Sequence, residues 1–125
     1  MDLNSIKPKE TVKVEINHPA TGEPLGLSVE MRSRHDNTVK EKVKSIELRG
    51  GKLTPAQRLA VRDAWAREIL VSAAVGWEWS NDLEFDSDPS PEFSDAMMTR
   101  VLSEYPFIFE QLNEQFGDIS AFFSK

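Results

Sequence analysis

All eleven aromatic residues of this 125-residue chain lie at or beyond position 65. Aromatic side chains bury more apolar surface than any others, so their distribution indicates where a core can form. The first 64 residues contain none, and their large apolar residues are aliphatic. The sequence therefore predicts a core in the C-terminal half, and two sub-regions of unequal stability.

A long central helix is predicted over residues 54–75. Thr54, Pro55 and Gln57 form the capping-box pattern with proline at the first helical position. Residues 69–75 are apolar except for Ser72, and a helix that is apolar on all sides is surrounded by protein. Gly76 is expected to end this helix. Four large apolar side chains are expected to face inward, namely Leu59, Val61, Trp65 and Ile69.

The region before this helix is predicted to begin with a β-hairpin over residues 11–33. The segments "TVKVEIN" and "LSVEMRS" alternate apolar and polar residues, and "HPATGEPLG" between them is typical of a turn. Residues 34–49 have a thin apolar stripe and a Lys/Glu-rich opposite face, which indicates an amphipathic helix capped by Asp36 or Asn37. The glycine pair at 50–51 ends it.

An acidic loop and two further helices are predicted after the central helix. The loop covers residues 80–91, and Ser90 and Pro91 are expected to start a helix that runs to Glu104. Pro106 then opens the last helix. Its stripe has a spacing of three to four residues and consists of Phe109, Leu112, Phe116, Ile119 and Phe123.

The predicted fold class is therefore α+β and mostly α. It comprises a C-terminal, all-α core bundle of about three helices with an N-terminal β-hairpin. The expected division is a loose arm at 1–10, the hairpin with the charged amphipathic segment at 11–52, and the helical core at 53–125.

Charge divides the chain unevenly. The net charge is −6, but residues 1–76 carry 13 Lys/Arg against 10 Asp/Glu, whereas residues 77–125 carry 2 against 11. This asymmetry argues against nucleic acid or an anionic membrane as a partner of the acidic half. Three interpretations of this asymmetry are open: it keeps the protein soluble, it favours head-to-tail contact between copies, or it favours binding of a basic partner. The absence of cysteine, of a signal peptide and of a run of about 20 apolar residues predicts a soluble cytoplasmic protein.

Catalytic and metal-binding patterns are missing from the sequence. His18 and His35 have no nucleophile or carboxylate at a suggestive spacing, and no phosphate-binding, dinucleotide or metalloprotease motif occurs. Four carboxylates at steps of two, from Asp82 to Asp88, resemble a calcium loop, but Ser87 and Phe93 stand where that loop needs Gly and Glu. We therefore expect a protein that is not an enzyme, has no cofactor and no metal, and acts by binding.

The order of elements in the C-terminal half resembles the tail assembly chaperones of long-tailed bacteriophages, the lambda-G-like family. The shared pattern is an apolar helix that ends in Gly-Trp, a loop, a short helix begun by a Pro/Ser/Phe cluster, a Leu-x-x-x-Pro break and a last helix that ends in an aromatic residue. Here it is carried by "ILVSAAVGWEW" and "SPEFSDAMMTRVLSEYPFIFEQLNEQFGDISAFF". The turn "INHPATGEPLG" is also similar to the hairpin turn of many members of this family, so the resemblance spans residues 11–123. The charged segment 34–52 does not match the family pattern.

The resemblance implies a non-enzymatic function. Such chaperones bind the long helical tape measure protein, keep it soluble, and are displaced as the major tail protein polymerises around it. A longer product of ribosomal frameshifting recruits the major tail protein, and the chaperones self-associate. The resemblance implies the host cytoplasm as the location and absence from the mature virion. Two alternatives are another small phage structural or connector component and an acidic inhibitor that mimics DNA.

Three aromatic residues are the predicted partner-binding residues: Trp79, Phe107 and Trp77. The two tryptophans point the same way if the chain is extended there, and lie about 200° apart if it is helical. Trp77, which directly follows Gly76, is favoured as a core residue, and Trp79, beside the acidic loop, is favoured as the one that faces a partner. Phe109 is favoured as core, and Phe107 is left open between core and surface.

Overall fold

The computed structural model describes residues 11–80 and 82–117. Three strands and four helices follow one another in the order β1 (Thr11–Asn17), β2 (Pro24–Arg32), α1 (Asn37–Gly50), α2 (Pro55–Ala73), β3 (Ala74–Trp79), α3 (Asp95–Glu104) and α4 (Pro106–Gly117). The expected arm at 1–10 and the last stripe residues, Ile119 and Phe123, lie outside the described residues. No helix in the described ranges has the length and apolarity to cross a membrane.

The sheet is antiparallel, with the strand order β1–β2–β3. Alternation along the strands separates its two faces. Five side chains of the apolar face are buried: Val14, Ile16, Leu27, Val29 and Met31. On the polar face, Lys13 Nζ and Glu78 Oε1 lie 3.0 Å apart, and this hydrogen bond raises the pKa of the Lys13 ammonium. The predicted hairpin is confirmed.

The predicted fold class is wrong in its main feature. The core is not an all-α bundle of three helices with an appended hairpin, because the segment "AVGWEW" forms the third strand of the sheet. The central helix ends at Ala73, and Gly76 lies inside β3 instead of ending the helix. A two-stranded hairpin is marginal in water, and β3 supplies the third strand that stabilises it. The main buried cluster accordingly combines side chains of all three strands and all four helices.

Helix α2 has two halves with different environments. Its C-terminal half packs into the core through the buried Leu70, Val71 and Ala73. Its N-terminal half extends past the core, and there Leu59 is 66% exposed. The prediction that Leu59 faces inward is therefore wrong. The local periodicity is that of a buried face, but in the described structure no element covers this end of the helix on that side.

Helix α1 packs along α2. Asp36 caps it by accepting a hydrogen bond from the Thr38 N–H at 2.8 Å, and Gly51 follows its last residue, as predicted. The capping box of α2 is also confirmed. Where the two helices meet, a Cβ on Gly50 would lie 3.1 Å from the ring of Trp65, and the Arg49 guanidinium lies 5.6 Å from the centre of that ring. The small residue thus permits a close approach of α1 to α2.

Helices α3 and α4 meet at a sharp corner. Helix α3 begins at Asp95 and is capped by Ser94, so the predicted start at Ser90 and Pro91 is wrong. Two prolines, at positions 89 and 91, disfavour a helix in this segment, because proline lacks the backbone N–H donor and biases the residue before it away from the helical region. Pro106 opens α4, as predicted. The side chain of Gln111 then donates to the Asn17 carbonyl and accepts from its N–H, each at 2.8 Å, which ties α4 to β1.

Candidate functional site

An apolar groove lies where the sheet edge at β3 meets the corner between α3 and α4. We call it the aromatic groove. Its volume is about 290 Å³, and Tyr105 on its wall is 43% exposed, so it opens to solvent. Half of its twelve lining residues are the following large apolar or aromatic side chains: Leu25, Trp79, Leu83, Phe85, Tyr105 and Phe107. A concave apolar surface of this kind is a usual place for a partner to bind.

The proline break positions two of these aromatic rings. The N–H of Tyr105 still bonds the Val101 carbonyl at 3.0 Å, but its backbone leaves the helical region and α4 starts at Pro106. Tyr105 and Phe107 therefore stand on either side of the corner, with ring centres 6.3 Å apart in an edge-on arrangement. Such geometry is favourable for aromatic pairs and holds both rings in place.

The acidic loop after β3 forms another wall of the groove. Phe85 and Asp88 exchange two backbone hydrogen bonds of 3.0 Å, which close a tight turn. Asp86 and Ser87 inside that turn have positive φ values of 52° and 67°. The turn directs Phe85 into the core, where only 4% of it is exposed. The turn at residues 85–88 is thus a defined part of the site.

Arg100 of α3 anchors this loop from the helix side. Its guanidinium lies 2.6 Å from the Asp86 carboxylate, 3.4 Å from that of Glu104, and 4.7 Å from the centre of the Phe85 ring. The hydrogen bond with Asp86 raises the pKa of Arg100 above its ordinary value. The charge of Arg100 is therefore already matched by carboxylates.

The two tryptophans lie on the same face of β3, because the chain is extended there. Trp77 is opposite Val29 and Trp79 is opposite Leu27 on the apolar face of the sheet. Their rings are 5.4 Å apart and nearly perpendicular. Both are half-buried, but their surroundings differ, since Trp79 lines the aromatic groove and Trp77 does not.

Trp77 is fixed by contacts outside the groove. Its Nε1–H donates to the Pro91 carbonyl at 2.9 Å, and its ring centre lies 5.3 Å from that of Phe93, edge to face. The Nε1–H of Trp79 is enclosed and has no hydrogen-bond partner among the described residues. Trp77 thus links the sheet to the segment before α3, while Trp79 supplies apolar surface to the groove.

A matched pair of substitutions tests this difference. We expect Trp77→Phe to lower the free energy of unfolding by about 1–2 kcal/mol more than Trp79→Phe, because the first leaves the carbonyl of the buried residue Pro91 without its donor and the second removes only an unpaired N–H. Urea unfolding followed by circular dichroism measures both. Equal losses in the two variants would contradict this assignment.

The structure brings together two of the three predicted partner-binding residues. Trp79 and Phe107 both line the aromatic groove, while Trp77 does not line it and bonds the Pro91 carbonyl instead. The sequence analysis missed the other four large groove residues, which are Leu83, Phe85, Tyr105 and Leu25. A signal for the first two was present, because "DLEFD" alternates apolar and acidic residues, as a chain does when one side of it is covered.

A larger cleft, of about 780 Å³, lies between α1, α2 and the start of α3. Eight of its twelve lining residues are polar or charged, and three of the charged side chains, those of Arg32, Lys42 and Glu68, already have partners. Arg32 donates to the Ser72 carbonyl at 2.9 Å, and Lys42 lies 3.6 Å from Glu68. The aromatic groove, although smaller, is therefore the better candidate for binding. The described residues contain no group of three or more His, Asp or Glu side chains arranged to hold a metal.

No protein-family model matches this chain, and neither a curated protein nor a solved structure is significantly similar to it.

Proposed function

We propose that this protein is a tail assembly chaperone of a long-tailed bacteriophage. In this role it binds the tape measure protein in the host cytoplasm and keeps it soluble until the major tail protein assembles around it. A longer, frameshifted form of the chain recruits the major tail protein. The chaperone is not an enzyme, self-associates on its target, and leaves before the virion matures.

The aromatic groove is the observation that carries this proposal. A chaperone for a long helical protein needs an apolar surface that accepts side chains from one face of a helix. The groove presents Trp79, Tyr105 and Phe107 around a volume of about 290 Å³, which takes a few anchoring side chains and not a whole helix. Shallow contacts of this size favour reversible binding, repeated along a long target, over one permanent complex.

Trp79 and Phe107 are the proposed contact residues of this groove. Aromatic side chains in a partly desolvated pocket dominate binding energies at many interfaces. Trp77 contributes indirectly, because its ring packs edge-on against that of Trp79 and holds it in place. We therefore expect substitutions of Trp79 or Phe107 to weaken binding directly, and those of Trp77 to act through folding.

Co-expression with the tape measure protein of the same phage tests the proposal. The tape measure protein alone is expected to be insoluble, and with this chain present it should appear in the soluble fraction and be retained with a tagged copy on affinity resin. An unrelated acidic protein of similar size serves as the control for general effects of charge. If the tape measure protein stays insoluble and no complex is retained, the proposal is wrong.

A further inference from the structure

From the charges that surround the aromatic groove, we infer that it selects a basic amphipathic helix. The bound segment carries apolar side chains on one face, at positions i, i+3 or i+4 and i+7, flanked by Lys or Arg. This inference rests on the proposed function for the helical form of the segment and for its assignment to the tape measure protein. The chemistry of the segment follows from the groove itself.

Carboxylates border the groove on two sides. Glu84 lines it, and Asp82 and Asp86 flank the groove residues Leu83 and Phe85 in the acidic loop. On the side of α3, Glu104 directly precedes Tyr105. In solution at low salt, carboxylates placed around an apolar surface attract cationic partners and repel anionic ones, which sets specificity and association rate.

Cations that would balance these carboxylates are scarce. Residues 77–117 contain ten Asp and Glu residues and one basic residue, Arg100. Arg100 is bound to Asp86 and Glu104, so two of the carboxylates already neutralise it. The remaining polar wall includes His18, whose Nδ1 accepts a hydrogen bond from the Ala20 N–H at 3.0 Å. The net charge at the border of the groove is therefore negative.

The two parts of the site act on different properties of a ligand. The apolar lining favours burial of leucine-like or aromatic side chains, whatever the charge of the segment. The carboxylate border then discriminates between segments with equal apolar faces. A helix with Lys and Arg beside its apolar stripe satisfies both parts, whereas an acidic helix satisfies only the first.

Three matched peptides of about 18 residues test this selectivity on the full chain. They share one leucine stripe and differ only in the flanking positions, which are Lys, Gln or Glu. Labelled peptides are titrated and followed by fluorescence anisotropy. We expect the Lys peptide to bind about tenfold more tightly than the Gln peptide, and the Glu peptide to bind more weakly than both. Raising the salt concentration from roughly 0.05 to 0.5 M should remove most of this preference.

Two charge-reversal substitutions test whether the preference for the Lys peptide arises at the groove. Glu84→Lys places a cation on the groove wall and is expected to abolish the preference for the Lys peptide. Glu92→Lys is the control, since Glu92 is exposed directly after the acidic loop but does not line the groove. It changes the net charge equally and should leave most of the preference intact. Equal effects of the two variants would mean that overall charge, and not the groove, decides binding, and would overturn the inference.

Other outcomes also decide the inference. Peptides that bind equally well whatever their charge would overturn it. The α1–α2 pair is itself basic and carries the exposed Leu48 and Leu59. If the free chain self-associates at low salt in sedimentation and Phe107→Ala abolishes that association, a second copy is the occupant and the inference is wrong.

The failure of this inference and the failure of the proposed function are distinguishable. A soluble tape measure complex without charge preference overturns this inference alone. Selective peptide binding without a tape measure complex overturns the proposed function alone.

Discussion

Leu70→Ala is expected to lower the free energy of unfolding by about 2–5 kcal/mol, because it leaves a cavity at a fully buried site of the core. Leu70 lies in the last turn of α2, where the helix meets the sheet. A loss of this size is a large fraction of the stability of a domain of this length. Chemical denaturation followed by circular dichroism measures the change.

Leu59→Ala is the matched control for that loss. Leu59 is in the same helix and undergoes the same chemical change, but it is 66% exposed. Any difference in helix propensity between leucine and alanine is common to both sites and cancels. We therefore expect the control to change the free energy of unfolding by less than about 0.5 kcal/mol. Similar losses at both sites would mean that the N-terminal half of α2 is covered by protein, contrary to the structure.

The helix starts were predictable from the sequence, because capping is local chemistry. Asp36 and Thr54 each act on a backbone N–H two or three residues away, so a short stretch of sequence contains the whole interaction. The hairpin over β1 and β2 was predictable for a related reason. Its two alternating segments are separated by a short turn, and both have apolar residues on the same face.

The border between α2 and β3 was not predictable in the same way. The segment "SAAVGWEW" is compatible with the end of an apolar helix and also with a strand that carries Trp77 and Trp79 on one face. What decides between the two is pairing with β2, in which Val29 lies opposite Trp77. That partner is 48 positions earlier in the chain, and local periodicity holds no information about it. The error in fold class follows from this one segment.

The candidate site was also predictable only in part, because it too depends on contacts between segments that are distant in the sequence. Trp79 and Phe107 were identifiable as large aromatic residues beside a loop and a proline. The groove they share was not, because it also requires Leu25 from β2 and Phe85 from the acidic loop. Only the folded sheet brings these segments together. Single anchor residues can thus be predicted from a sequence, while the shape of a binding surface depends on tertiary packing.

Phe107→Ala is expected to weaken binding of the tape measure protein by about thirtyfold or more, which corresponds to roughly 2 kcal/mol for an aromatic anchor in an interface. The ring lines the aromatic groove at the start of α4, edge-on to Tyr105, and only part of it is buried in the free chain. The soluble yield in co-expression and calorimetry with a soluble tape measure segment measure the loss.

Phe109→Ala separates binding from folding in this test. Phe109 is the same residue type in the same helix and is also half-buried against the core, but it does not line the groove. We expect it to lower the free energy of unfolding by about 1–3 kcal/mol, as a truncated, partly buried aromatic residue does, and to leave affinity within about threefold. If Phe109→Ala weakens binding as much as Phe107→Ala in variants that remain folded, the contact surface is the length of α4, and the aromatic groove is not the binding site.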